Sequence, residues 1–211
     1  LNQYLSTKDK TYADDAQYRL GYLYIETKQQ KKAIETFEKY LAGGKAKHTV
    51  EIQIRLGYLY IETKELKKAI EIFKIYLAGG DAEHIAEIQI RVGYLYIETK
   101  QQKKAIESFK KYLASGDTEH VAEIQIRLGY LYLESKQQKK AIKIFEQYLA
   151  SGAAEHSVAI QLRLAYLYVE TKQNFLAISL MEQVRLHPDY RQNSELLQTL
   201  MVLYRDTVSK E

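Results

Sequence analysis

Four histidines recur at a fixed interval, at His48, His84, His120 and His156. Histidine is the side chain best suited to hold zinc or to move a proton near neutral pH. The interval argues against a shared metal. Zinc draws its ligands to within about 2.0–2.1 Å of one centre, whereas equivalent residues of stacked helical hairpins stand about 8–10 Å apart. A repeated structural or capping role is expected, with no metal. The carboxylates behave alike: Glu62, Glu98, Glu134 and Glu170 recur in step, while a catalytic pair should be unique in its surroundings. Asp15 with Arg19, Glu51 with Arg55, Glu87 with Arg91 and Glu123 with Arg127 are spaced i, i+4. They read as helix-surface pairs worth about 0.2–0.5 kcal/mol each. There is no glycine-rich phosphate loop and no nucleophile with a neighbouring His and orienting acid. There is no Cys, which excludes disulfides, thiol nucleophiles and Cys-ligated metals. The chain therefore reads as non-catalytic, with no cofactor and no small-molecule substrate.

Lysine forms a further ladder: Lys28, Lys31, Lys32; Lys64, Lys67, Lys68; Lys100, Lys103, Lys104; Lys136, Lys139, Lys140. Such an edge attracts phosphates or anionic lipid headgroups, but charge runs commonly serve only as solvated edges that resist aggregation. Nucleic-acid binding adds Arg or exposed aromatic residues to the lysines. Gln stands there instead, and the net charge of +4 is mild, so nucleic acid is not the expected partner. Binding to an anionic surface, membrane or nucleic acid, through this edge is kept as the alternative.

The elements that position these residues follow from composition and periodicity. The 211 residues are 46% hydrophobic, with one Pro and ten Gly. That leaves little room for many turns and favours long helices. No window approaches the roughly 18 apolar residues of a spanning helix. The segment Arg19-Leu20-Gly21-Tyr22-Leu23-Tyr24 returns at Arg55, Arg91, Arg127 and Arg163, a step of 36 residues (55 − 19). Each unit reads as two helices. The first carries apolar residues such as Ile52, Leu56, Leu59 and Tyr60, and the second Ala69, Ile70, Phe73, Tyr76 and Leu77. A turn is expected across Glu62-Thr63-Lys64-Glu65, where the apolar phase is lost. Gly43-Gly44, Gly79-Gly80 and Gly116 suit the left-handed cap after the second helix, and Asp81 and Asp117 the N-cap of the next first helix.

The slots Leu56-Gly57, Tyr60, Ala69 and Phe73 recur in four units and drift in the fifth to Leu164, Ala165, Tyr168, Ala177 and Met181. In this pattern the chain resembles the tetratricopeptide repeat family over nearly its whole length. The resemblance implies an all-α fold: a right-handed α-solenoid of antiparallel helical hairpins. The step of 36 departs from the family's usual 34. A Gly-rich loop replaces the family's Pro, except at Pro188. The stretch Tyr12 to Gly21 is also similar to bacterial periplasmic and outer-membrane-associated repeat proteins that assist envelope assembly. That favours the periplasm or outer membrane over the cytoplasm.

One domain is expected over 1–211. It comprises the end of a preceding repeat at 1–8, repeats at 12–47, 48–83, 84–119, 120–155 and 156–190, and a C-terminal capping helix within 191–211. Leu1, Tyr4 and Leu5 align with Phe37, Tyr40 and Leu41, as if the chain were cut from a longer array. Met201 holds the glycine slot of the last first-type helix, where it should obstruct a further hairpin.

Opposite the packed stripe of each first helix, a second face carries Tyr22; Ile54, Tyr58, Ile61, Glu62; Ile90, Tyr94, Ile97, Glu98; Ile126, Tyr130, Leu133, Glu134; and Tyr166. In the family this face lines the concave groove. The resemblance implies a strip that takes a peptide or helical segment of a protein partner, with Tyr as anchors. The carboxylates would favour partners with Lys or Arg beside their apolar residues. Relatives that grip an acidic C-terminal tail use Asn and basic residues here, so that activity is not expected. Self-association through the same strip is a further alternative.

Overall fold

The computed structural model describes residues 10–44, 47–79 and 83–208, and among them every regular element is an α-helix. The expectations at Leu1, Tyr4, Leu5, Gly80 and Asp81 lie outside the described residues. The chain falls into two compact units, Leu1–Ser115 and Gly116–Glu211. The first contains α1 (Lys10–Glu26), α2 (Gln30–Ala42), α3 (Thr49–Glu62), α4 (Leu66–Gly79), α5 (Ile85–Glu98) and α6 (Gln102–Ala114). The second contains α7 (Val121–Glu134), α8 (Gln138–Ala150), α9 (Ser157–Glu170), α10 (Asn174–Arg185) and α11 (Ser194–Val208). Odd and even helices pair as hairpins. Within the units each second helix also packs on the next first helix, α2 on α3, α4 on α5, α8 on α9 and α10 on α11. This is the helical-repeat solenoid that the periodicity predicts.

The turn inside each hairpin closes without glycine. Lys28, Lys64, Lys100, Lys136 and Lys172 all take the left-handed conformation, with φ between 57° and 63°. Around Lys28 two backbone bonds explain how a lysine is held there. Its own N–H donates to the Ile25 carbonyl at 2.9 Å, and the Gln29 N–H donates to the Tyr24 carbonyl at 2.7 Å. This is the paired bonding of a Schellman cap, reinforced by the Thr27 hydroxyl on the Leu23 carbonyl at 2.7 Å. The lysines of the turn are therefore backbone-shaping residues as well as a charged edge.

The next helix starts differently from the aspartate caps expected. His48, His84, His120 and His156 occupy the N-cap positions of α3, α5, α7 and α9 and make no side-chain cap bond. Asp117 instead accepts the Glu119 N–H at 3.0 Å, shaping the turn ahead of His120.

Hairpins close on a glycine–phenylalanine contact. A Cβ at Gly21, Gly57, Gly93 or Gly129 would lie 2.2–2.4 Å from Cε1 of Phe37, Phe73, Phe109 or Phe145. Those four rings are fully buried. In the fifth hairpin Ala165 faces the same core as Met181, both without exposure. An unbranched, flexible side chain replaces the rigid ring where the glycine has become alanine. In α11, Leu196, Leu200 and Leu203 are buried while Met201, Val202 and Tyr204 face outward.

Candidate protein-binding face

The first helices present the residues singled out by sequence, and each unit has its own cleft there. In the first unit Tyr22, Glu51, Ile54, Tyr58 and Glu87 line a cleft of about 550 Å³. In the second, Ala122, Ile126, Tyr130, Tyr148 and Glu155 line one of about 430 Å³. Of the expected strip, Tyr22, Ile54, Tyr58, Ile126 and Tyr130 thus line the clefts. Ile61, Ile90, Tyr94, Ile97, Leu133 and Tyr166 are half-buried, and Glu62, Glu98 and Glu134 are exposed.

Tyr22 and Tyr58 are held at both ends. As in two further hairpins, each ring meets the buried Phe of its own hairpin edge-on, with centroids 5.5 Å apart for Tyr22 and Phe37, 5.6 Å for Tyr58 and Phe73, 5.3 Å for Tyr94 and Phe109 and 5.5 Å for Tyr130 and Phe145. The Tyr18 and Tyr22 hydroxyls both donate to Glu51 at 2.7 Å, and the Tyr58 hydroxyl donates to Glu87. Burial, and next the bonded carboxylate, raise the Tyr22 and Tyr58 hydroxyls above the ordinary phenol value. The Arg91 guanidinium lies 5.3 Å from the Tyr58 ring centroid.

These roles for Glu51 and Glu87 are missing from the helix-pair expectation. The signal that would reveal them is an offset of 29 residues from tyrosine to acceptor. The same offset leads from Tyr166 to Glu195, whose charge, after burial, raises the Tyr166 phenol. From Tyr130 it leads to Ala159, which has no carboxylate. Tyr130 is the cleft tyrosine that stands 39% exposed.

The glutamate ladder is also tied into the scaffold. Glu62 accepts from the Gln30 amide at 2.8 Å and Glu170 from Gln138 at 2.7 Å. Asp15 pairs with Lys47 at 3.0 Å and with His48 at 3.5 Å. The Lys47 hydrogen bond holds the Asp15 carboxyl below its usual value. His48 stacks on Tyr18 with centroids 3.9 Å apart. Among the described residues no group of three or more His, Cys, Asp or Glu converges as a metal site, and no helix is long and apolar enough to cross a membrane.

The lysine edge thins at the fifth hairpin, where Lys172 alone of its three slots is kept. Lys32, Lys68, Lys104 and Lys140 lie 5.2–5.6 Å over the rings of Tyr24, Tyr60, Tyr96 and Tyr132. At the corresponding step stand Phe175 and Leu176, 81% and 49% exposed.

Family profiles described as tetratricopeptide repeat match residues 15–42 and residues 50–74, 86–115 and 122–151, together more than half of the chain. Among solved structures, MamA (AMB-1) is 18% identical, with a TM-score of 0.60 over 88% of this chain and 96% of that one. A tetratricopeptide repeat protein from Parabacteroides merdae ATCC 43184 is 17% identical, with a TM-score of 0.59 over 90% of this chain and 72% of its own. A kinesin light chain-type protein of Podosopora anserina with nearly identical TPR-like repeats is 22% identical, with a TM-score of 0.53 over 85% of this chain and 97% of its own. At these identities the likeness is one of fold. Comparison with the curated proteins finds no sequence match.

Proposed function

This chain belongs to the tetratricopeptide repeat family, and from that premise we propose that it is a non-catalytic scaffold that holds a peptide or helical segment of another protein against its first-helix face. The observation that carries the proposal is Tyr130. Its ring is fixed on Phe145, its position lacks the carboxylate that engages Tyr22 and Tyr58, and it opens into a cleft beside Ile126. A rigid aromatic with a spare hydroxyl in a half-apolar cleft is the usual form of an interface anchor. Likeness of Tyr12 to Gly21 to envelope-associated repeat proteins supports a role in bacterial envelope assembly, which cell fractionation of the source organism tests.

The test of the binding face is crosslinked capture from native extract with wild type and Tyr130→Glu. Loss of a protein by a variant that keeps its helical circular dichroism supports the face. Equal capture by both removes it. Capture that ignores Tyr130 but collapses with added salt points to the lysine edge as an anionic-surface binder. Self-association is the second reading, favoured by exposed Phe175 in α10, Leu186 just after it and Met201 in α11. Light scattering across a concentration series tests it, with Phe175→Lys as the variant that restores a monomer.

A further inference from the structure

On the second-helix side of the first unit, one step of the scaffold breaks its own rule. At three steps of the array the tyrosine near the end of a first helix finds a carboxylate on the preceding second helix, while at the Tyr132 step the sequence places Lys110 in that slot, as it places Lys74 at the Tyr96 step. The Tyr60 hydroxyl donates to Glu38 at 2.5 Å, Tyr168 to Glu146 at 2.6 Å and Tyr204 to Glu182 at 3.1 Å. Lys68 stands 3.9 Å from the same Glu38. A phenol and an ammonium thus converge on one carboxylate.

At the next step Tyr96 takes the place of Tyr60 and Lys104 that of Lys68, but Lys74 takes the place of Glu38 (38 + 36 = 74). The donors remain, the acceptor is gone and another cation has arrived. Tyr96, Lys74 and Lys104 line a cleft of about 560 Å³ among α4, α5 and α6, and Lys111 adds a further ammonium to its wall. Tyr96 is largely buried, and Lys104 sits 5.6 Å over its ring. The nearby carboxylates are Glu107 in the wall and Glu71, which pairs with Lys74 at 3.4 Å. They leave the cleft with a surplus of positive charge.

We propose that this cleft binds an oxyanion, either a carboxylate or a phosphate monoester, which occupies the place that the Glu38 carboxylate fills one repeat earlier. The Tyr96 hydroxyl donates to it, and Lys74 and Lys104 neutralise it. Charge-assisted bonds of this kind are short and strong, and they gain from a half-buried setting. The site lies on the second-helix side, so its test does not depend on Tyr130.

Calorimetric titration of the full chain with inorganic phosphate, and separately with acetate, tests the proposal. The expected result is saturable binding that depends on Lys74. Binding by acetate as well identifies a carboxylate ligand, and binding by phosphate alone a phosphate monoester. Lys74→Glu supplies the internal carboxylate and should weaken binding by at least about tenfold, with Tyr96→Phe weakening it by roughly threefold to tenfold. Lys74→Ala serves if the glutamate variant does not fold. Lys139→Ala, on the lysine edge of the second unit, should leave binding intact. Three results overturn the proposal: no saturable binding of either ion, binding unaltered in both Lys74 variants, or equal weakening by Lys139→Ala, which would mean diffuse attraction to lysine.

Discussion

Two residue choices in this scaffold oppose helix and turn propensity, and their consequences are measurable. Left-handed backbone costs a non-glycine residue about 1–2 kcal/mol, yet Lys100 adopts it with φ 58°. Lys100→Gly removes that cost while raising the entropy of the unfolded chain, so a net gain of about 0.5–1 kcal/mol is expected. Chemical denaturation with an unchanged slope would measure it. Gly93 presents the opposite case. Alanine in a helix interior ordinarily stabilises by about 0.5–1 kcal/mol. Here its Cβ would fall 2.4 Å from a buried ring atom of Phe109. Overpacking of this kind costs about 1–3 kcal/mol, so sterics win and Gly93→Ala should destabilise. Adding Phe109→Met, which reproduces the Ala165 and Met181 pair, should recover part of the loss. A double-mutant cycle on the unfolding midpoint reads the coupling directly.

At the scale of elements, hairpins are joined by hydroxyl–carboxylate bonds whose proton stays on tyrosine. Tyr22 and Tyr58 have phenols raised above the ordinary value of 10.0 by burial and by Glu51 and Glu87. A folded-state value above the unfolded one means that the folded chain keeps its protons longer. The stabilising contribution is therefore complete below pH of about 10, the unfolded tyrosine value, and is lost as the pH rises through the higher folded values. The urea midpoint should accordingly hold steady from neutrality to about pH 9 and fall beyond about pH 10. Tyr58→Phe should flatten the alkaline fall at the expense of some stability at neutral pH. A fall of the same steepness in wild type and variant would remove Tyr58 from the account.

Across the whole molecule, what the sequence discloses depends on how regular the underlying physics is. The hairpins, their packed stripe and the α11 segment are legible because apolar spacing at a helical period recurs in register, and burial follows it. The turn is less legible. Nothing in the row of Lys28, Lys64 and Lys100 signals a left-handed residue, since lysine reaches it only when capping bonds from both flanks hold it. The interval of the histidines points to a structural or capping role, but not to its form: they cap through backbone carbonyls, such as that of His48 accepting from Ile52 at 2.9 Å, which any side chain could accompany. At the candidate face the apolar members were visible, but Glu51 and Glu87 looked like local helix partners. Their true acceptor role spans a hairpin, and only the recurring offset betrays it. The specialised positions, Tyr130 and Lys74 with its counterpart Lys110, emerge as exceptions once the rule that they break is known.

That offset has an evolutionary corollary. Because Tyr22 reaches Glu51 and Tyr58 reaches Glu87 across the same number of residues, excising 49–84 would carry Glu87 into the position that Glu51 vacates. The cut ends would also match, since Thr49 and Ile85 both follow an N-cap histidine. Unequal crossing-over between such copies of the coding sequence would lengthen or shorten the array in whole hairpins, with each new junction already compatible. Natural variation in this lineage should then appear as changes in repeat number before it appears as redesign of any one joint.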